Sequence, residues 1–168
     1  MQNKNITLRL GQKGDMRKRI DVHYRAVHEI ASNDYPPEIL NSWGRMFSES
    51  ELNRREQKHD ARIEKDENIV VVAEIGGKIV GFGEVAPQTS ELTAMYVDPN
   101  FKRRGIATAI LKRLESLARE ESLKYLQLSS SLTAVPFYLK NGFKVESRKT
   151  HTLSTGVKMA CAKMNKNI

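Results

Sequence analysis

The residues best suited to do chemistry lie together at Lys102-Arg103-Arg104-Gly105-Ile106-Ala107, where a strand-like run gives way to a helical pattern. A helix start leaves its first backbone N–H groups unpaired, and the helix dipole adds partial positive charge there. Phosphate oxygens match such a site. Gly105 and Ala107 are small enough to let them reach the backbone, and three basic side chains add charge on the approach. The implied chemistry is the holding of a phosphate or pyrophosphate. Taken alone, the loop fits a solvated basic helix end equally well. It is not a P-loop, since Gly-x-x-x-x-Gly-Lys-Ser/Thr is absent, and it lacks the three spaced glycines of a dinucleotide fingerprint.

Other chemistries find less support. Cys161 is the only cysteine, so no intramolecular disulfide forms, and its setting, VKMACAKM, reads as a half-buried strand with a reduced thiol. His23, His28, His59 and His151 show no metal-ligand spacing with one another or with the cysteine. No metal is expected, and the four are read as structural or surface residues. The net charge of +8 favours polyanions in general. Acidic residues are interleaved with most of the basic ones, as in RKRID and RREQKHDAR, and no nucleic-acid partner is expected. No apolar run is long enough to span a bilayer, and MQNKNITLRL lacks the apolar stretch of a secretory signal. A cytoplasmic location without a membrane partner is the default.

These residues must be positioned by elements whose periods are legible. The 168 residues suit a single domain, 1–168, with its own core. Ile6 to Leu10 reads as an opening strand. Asp15 is the expected N-cap of a helix carrying Met16, Ile20, His23, Val27 and Ile30 at helical spacing. Pro37 suits the first position of a second helix with Ile39, Leu40, Trp43, Met46 and Phe47. The highly charged stretch 48–68 reads as an exposed helix followed by a loop. IVVVAEI, Gly76-Gly77 and Lys78 to Val85 form a hairpin, and Glu91 to Val97 adds a third antiparallel strand. A helix from about Gly105 to Glu120 and a strand from Lys124 to Ser129 imply a parallel pair with a right-handed crossover. A short helix, Ala134 to Lys140, and two final strands complete the chain.

Two motifs in order carry a resemblance to a known family. Lys102-x-x-Gly105-x-Ala107 is similar to the Arg/Gln-x-x-Gly-x-Gly/Ala signature of the GCN5-related N-acetyltransferases, with lysine a conservative departure. Downstream, Ala134-Val135-Pro136-Phe137-Tyr138-Leu139-Lys140-Asn141-Gly142-Phe143 matches the family's Ala-x-x-Phe-Tyr-x-x-x-Gly-Phe pattern. The resemblance spans nearly the whole chain, strongly in residues 91–143 and weakly in 34–68, and looks like a bacterial subgroup of undefined substrate. It implies an α/β fold: a mixed central sheet, antiparallel then parallel with a splayed strand pair, flanked by about four helices.

The activity implied is transfer of the acetyl group of acetyl-CoA to a primary amine of a small-molecule or peptide acceptor, by direct attack in a ternary complex. The alternative is a non-catalytic acetyl-CoA-binding sensor or interaction module. In the family the cofactor lies where two parallel strands part. Here Met95, Tyr96 and Val97 would hold the pantetheine arm. Lys102 and the amides of Arg103, Arg104, Gly105, Ile106, Ala107 and Thr108 would hold the pyrophosphate. Ser131, where many members have asparagine, and Phe137 would add contacts. Tyr138 stands where members often place the proton donor to the leaving thiolate. Glu91 is the preferred base, with Glu84 on the neighbouring strand as the other candidate. Tyr35, Trp43 and Glu84 would line the acceptor site, although the spacing of Trp43 with Leu40 and Phe47 also fits a core residue. A homodimer is common in the family.

Overall fold

A run of β-branched residues builds the centre of the sheet, seen in a computed structural model that describes residues 5–168. Strands β1 (Thr7–Leu10), β2 (Ile69–Ile75), β3 (Lys78–Ala86) and β4 (Glu91–Val97) pair antiparallel in that order. Val71, Val72 and Ala73 are fully buried, because helices cover both faces of β2 and leave no position where a polar residue would gain water. Gly76 and Gly77 both take positive φ in the turn to β3, as a two-residue hairpin requires. Strands β5 (Tyr125–Ser131), β6 (Lys144–Thr152) and β7 (Lys158–Asn167) complete a seven-stranded sheet of order β1-β2-β3-β4-β5-β7-β6, in which β4 and β5 are the parallel pair.

Helix α4 (Ile106–Glu120) crosses between β4 and β5 and covers one face. It packs close because β3 presents glycine there: a Cβ on Gly83 would stand 2.6 Å from Leu114 Cδ1, and one on Gly81 3.1 Å from Ile110 Cδ1. Helix α1 (Met16–Ile30) covers the other face, where Val22 meets Phe82, Val70 and Val72. Asp15 stands at the N-cap of α1 but does not cap it with its side chain. Its carboxylate accepts instead from Arg9 and from the Gln12 N–H, both at 2.8 Å. Pro37 opens α2 (Pro37–Trp43) as expected.

The charged stretch forms α3 (Glu49–Glu64), started by a capping box between Ser48 and Glu51. Its one buried residue is His59. It is held against α1 by ion pairs such as Arg17 with Glu56 at 3.2 Å. Helix α5 (Val135–Lys140) ends at Asn141-Gly142, with Gly142 at φ +89. Among the described residues five α-helices therefore flank the sheet, where about four were expected.

Candidate active site

Strands β4 and β5 meet at one register pair, Glu91 opposite Gln127, with the Gln127 N–H donating to the Ser90 carbonyl at 2.9 Å. Beyond it each strand stays with its own neighbour: β4 pairs with β3 as far as Val97, and β5 pairs with β7 as far as Ser131. The two half-sheets part into a wedge. A cavity of about 160 Å³ opens between Leu92–Val97 on one side and Leu128–Ser131 on the other, closed by Val27 of α1 and Tyr138 of α5. The backbone groups of β4 that face this wedge have no strand partner. An edge of that kind can bind an extended ligand bearing amides, in the manner of an added strand.

Met95, Tyr96, Val97 and Ser131 line the wedge as expected. Ser131 Oγ also accepts from the Ala134 N–H at 3.2 Å, so part of its hydrogen-bonding capacity goes to the turn that launches α5. Phe137 does not line the wedge; it packs into the main core beside Tyr138. The side chain that reaches the cavity from α5 is one position later.

At the open end of β4 the chain passes through Asp98 and a short 3₁₀ turn into Lys102–Gly105, all four exposed. Arg103 and Gly105 both take left-handed φ, 62° and 75°. Gly105 occupies the N-cap of α4 and supplies no side-chain cap. The first amides of α4, at Ile106, Ala107 and Thr108, therefore have no intrahelical acceptor. Basic side chains, a curled backbone and an uncapped helix of fifteen residues fit a pyrophosphate. Asp98 anchors this loop. Its fully buried carboxylate accepts from Arg25 of α1 at 2.7 Å and from the Asn100 N–H at 3.0 Å.

Tyr138 is 5 % exposed and packs against Phe137 and Phe143, with ring centroids 5.2 and 5.3 Å away. No hydrogen bond from its hydroxyl is seen among the described residues. Burial, with a smaller effect of Tyr96, pushes this phenol well above its ordinary value. At neutral pH it is protonated and aimed at the wedge.

A second cavity, of about 330 Å³, lies across β4 between the sheet and α1. It shares Trp43, Thr93, Ala94 and Tyr96 with the wedge. Trp43 thus stands at the junction, 5.9 Å from Tyr35 and 6.3 Å from Tyr96. His23, first read as structural or surface, contributes to this cavity with its ring edge-on to Tyr96 at 4.5 Å. Burial, aided by Arg55 and His28, lowers its pKa to about 4, so the imidazole is neutral. His23 falls on the apolar stripe of α1, which was the available signal. Thr93 and Ala94 carried none.

The two carboxylates do not sit as expected. Glu91 lies at the closed end of the wedge and lines neither cavity. Glu84 does reach the second cavity, but its carboxylate is ion-paired with Arg19 and accepts from Asn68 Nδ2 at 2.6 Å. Burial would raise its pKa, but Arg19 and Asn68 outweigh that and hold it below the ordinary value. Tyr35 lines neither cavity: its hydroxyl donates to the Ala160 carbonyl at 2.6 Å and accepts from the Leu132 N–H at 2.7 Å. It ties the α1–α2 connection to β7 and to the end of β5.

Among the described residues no cluster of three or more His, Cys, Asp or Glu could hold a metal ion. No helix among the described residues is long and apolar enough to cross a membrane.

Known proteins resemble this chain in sequence and share its fold. The profile of the family described as "Acetyltransferase (GNAT) domain" matches residues 31–163. The chain is 31 % identical over 140 residues to YafP of Escherichia coli strain K12, an uncharacterized N-acetyltransferase, covering 83 % of this chain and 82 % of that one. The fold superposes on a GCN5-related N-acetyltransferase from Rhodopseudomonas palustris with a TM-score of 0.83 at 23 % identity, covering 100 % and 99 % of the two chains. It also superposes on the PaiA N-acetyltransferase of Thermoplasma acidophilum, solved in complex with coenzyme A, with a TM-score of 0.76 at 19 % identity, covering 98 % and 99 %.

Proposed function

The chain belongs to the GNAT acetyltransferase family and is an acyl-CoA N-acyltransferase, and from that premise we propose that it transfers the acetyl group of acetyl-CoA to a primary amine held beside Trp43. One observation carries this reading: the wedge between β4 and β5 and the cavity over α1 abut at Thr93, Ala94, Tyr96 and Trp43. A donor in one and an amine in the other would meet directly, without an acyl-enzyme step. The coenzyme A bound to the Thermoplasma relative supports the choice of donor.

Acetyl-CoA supplies an acetyl group activated as a thioester. The chain's residues do the rest. The unpaired β4 edge at Met95–Val97 holds the pantetheine amides, and an N–H there polarises the thioester carbonyl. The amides of Arg103–Thr108, with Lys102, hold the pyrophosphate. The amine nitrogen forms a bond to the carbonyl carbon, the C–S bond breaks, and Tyr138 gives its proton to the departing sulfur. The Tyr138 phenolate regains a proton from solvent. The ammonium has lost one proton before the attack, and a second leaves the nitrogen as the amide forms. Glu91 is too far toward the closed end to take it, and Glu84 is held by Arg19 and Asn68. The neutral imidazole of His23 accepts a hydrogen bond from the amine and orients it, while water carries the proton away.

The test is release of free CoA thiol from acetyl-CoA in the presence of a panel of primary amines. Amine-dependent release, with the acetylated amine found by mass spectrometry, is the expected result. Tight acetyl-CoA binding with no release across amines and peptides would favour the sensor reading.

A further inference from the structure

The cavity beside Trp43 continues past Arg19. It shares Met16, Arg19, Arg55 and Glu84 with a further compartment of about 170 Å³ beneath α3. Lys58, His59 and Arg62 of α3, with Asn68, complete its polar lining. Four cationic side chains thus face one carboxylate, and that carboxylate, Glu84, is already engaged by Arg19 and Asn68.

The donors here are unspent. Arg19 is 4 % exposed, yet its Nε and Nη1 have no hydrogen-bond partner. His59 is 8 % exposed; its Nδ1 donates to Asp60 Oδ1 at 3.1 Å, so the donor of the neutral ring is already used, and its Nε2 has no partner among the described residues. Arg45 pairs with Glu51 at 2.7 Å, whereas Arg55 meets no carboxylate among the described residues and lies 3.9 Å over the Phe47 ring. Burial, aided by the nearby Arg45 and only partly opposed by Glu51, lowers the Arg55 pKa. Buried polar atoms are nearly always paired, and leaving a donor unpaired costs about 1–3 kcal/mol, more when it is charged. Two such donors on Arg19, in a compartment also lined by Arg55 and Lys58, call for a ligand rich in acceptors.

We propose that this compartment is an anion subsite, so that the acceptor is an amine carrying a carboxylate or phosphate group held by Arg19, Arg55 and Lys58. This rests on the acetyltransferase reading for the amine, but not for the anion. The amine end lies toward Tyr96 and Trp43, and the oxyanion lies beneath α3. Polyamines and other polycations meet like charge here and are poor acceptors. The subsite also gives the charged run of α3 a role: it builds the wall of the acceptor site.

The experiment compares propylamine, putrescine, β-alanine and 2-aminoethyl phosphate as acceptors, and titrates inorganic phosphate calorimetrically in parallel. A charge-assisted contact contributes about 1.5–3 kcal/mol. The better of the two anionic amines should therefore exceed propylamine in kcat/KM by about 10- to 100-fold, and which of them wins separates carboxylate from phosphate. Inorganic phosphate should bind, and the double variant Arg55→Gln/Lys58→Gln, checked for an unchanged melting temperature, should weaken that binding and shrink the anionic advantage. Equal or better turnover of propylamine or putrescine would overturn the proposal. If no amine in the set reacts, the phosphate titration decides, and absence of binding overturns it. Failure of acetyl-CoA to bind would remove the acetyltransfer reading and leave the phosphate result standing.

Discussion

Replacing Tyr138 with phenylalanine is expected to lower kcat by about 10²- to 10⁴-fold, the usual worth of a positioned acid, and to leave acetyl-CoA affinity within about threefold. The substitution is clean for structural reasons. The ring packs between Phe137 and Phe143, and phenylalanine keeps that volume. The hydroxyl has no protein partner among the described residues, so its loss orphans no buried group. Steady-state kinetics with a saturating amine, beside a binding isotherm for acetyl-CoA, separate the two quantities. A kcat within about threefold of wild type would remove Tyr138 from the chemistry and leave the thiolate to be protonated by water.

Asp98→Ala is expected to destabilise the fold and loosen the cofactor loop together. The carboxylate is fully buried, receives Arg25 at 2.7 Å and the Asn100 N–H at 3.0 Å, and has Lys78 at 3.8 Å. Removing one partner of a buried pair typically costs about 3–5 kcal/mol. Arg25 is 31 % exposed, and water recovers part of that. A loss of about 2–4 kcal/mol is expected, which for a domain of this size lowers the melting temperature by about 4–16 °C. Because the turn at Asp98 launches the Lys102–Gly105 loop, KM for acetyl-CoA should rise as well. Asp98→Asn keeps an acceptor for the Asn100 N–H and should recover part of the KM effect with little of the stability. Melting curves and acetyl-CoA kinetics on the two variants check both halves.

The order of strands and helices was legible because each element carries its own period: the β-branched run of β2, the Gly-Gly turn, the apolar stripe of α4. The loop at Lys102–Ala107 and the Phe-Tyr motif were legible because the structure they form is local, a helix end and a helix face. The residues that went astray depend on pairings distant in sequence. Glu91 looked like a cleft residue, but the single register pair with Gln127 puts it at the vertex of the wedge. Tyr35 looked like a pocket aromatic, but its hydroxyl is spent on Ala160 and Leu132, 125 and 97 residues away. Phe137, expected to contact the cofactor, lies one position before the α5 residue that lines the wedge, and neighbouring residues on a helix point about 100° apart. Nothing in the composition of α3 tells which face meets α1, so Arg55, Lys58 and His59 read as a solvated charge run until the packing brings them over Arg19.

Binding of acetyl-CoA by the wedge and its basic loop is the central expectation, and a calorimetric titration of the wild type and of Gly105→Glu measures it directly. Gly105 has φ +75 with nothing within 4 Å of an added Cβ. The variant thus meets modest backbone strain, about 1–3 kcal/mol, and places a carboxylate where the pyrophosphate is expected. Like charges brought together at a binding site cost several kcal/mol. The predicted result is one-to-one binding of acetyl-CoA to the wild type, weakened by about 100-fold or more in a variant that still unfolds cooperatively. Equal affinity in the two proteins, or no binding to either, would contradict the account and leave Lys102–Ala107 as no more than a solvated helix end.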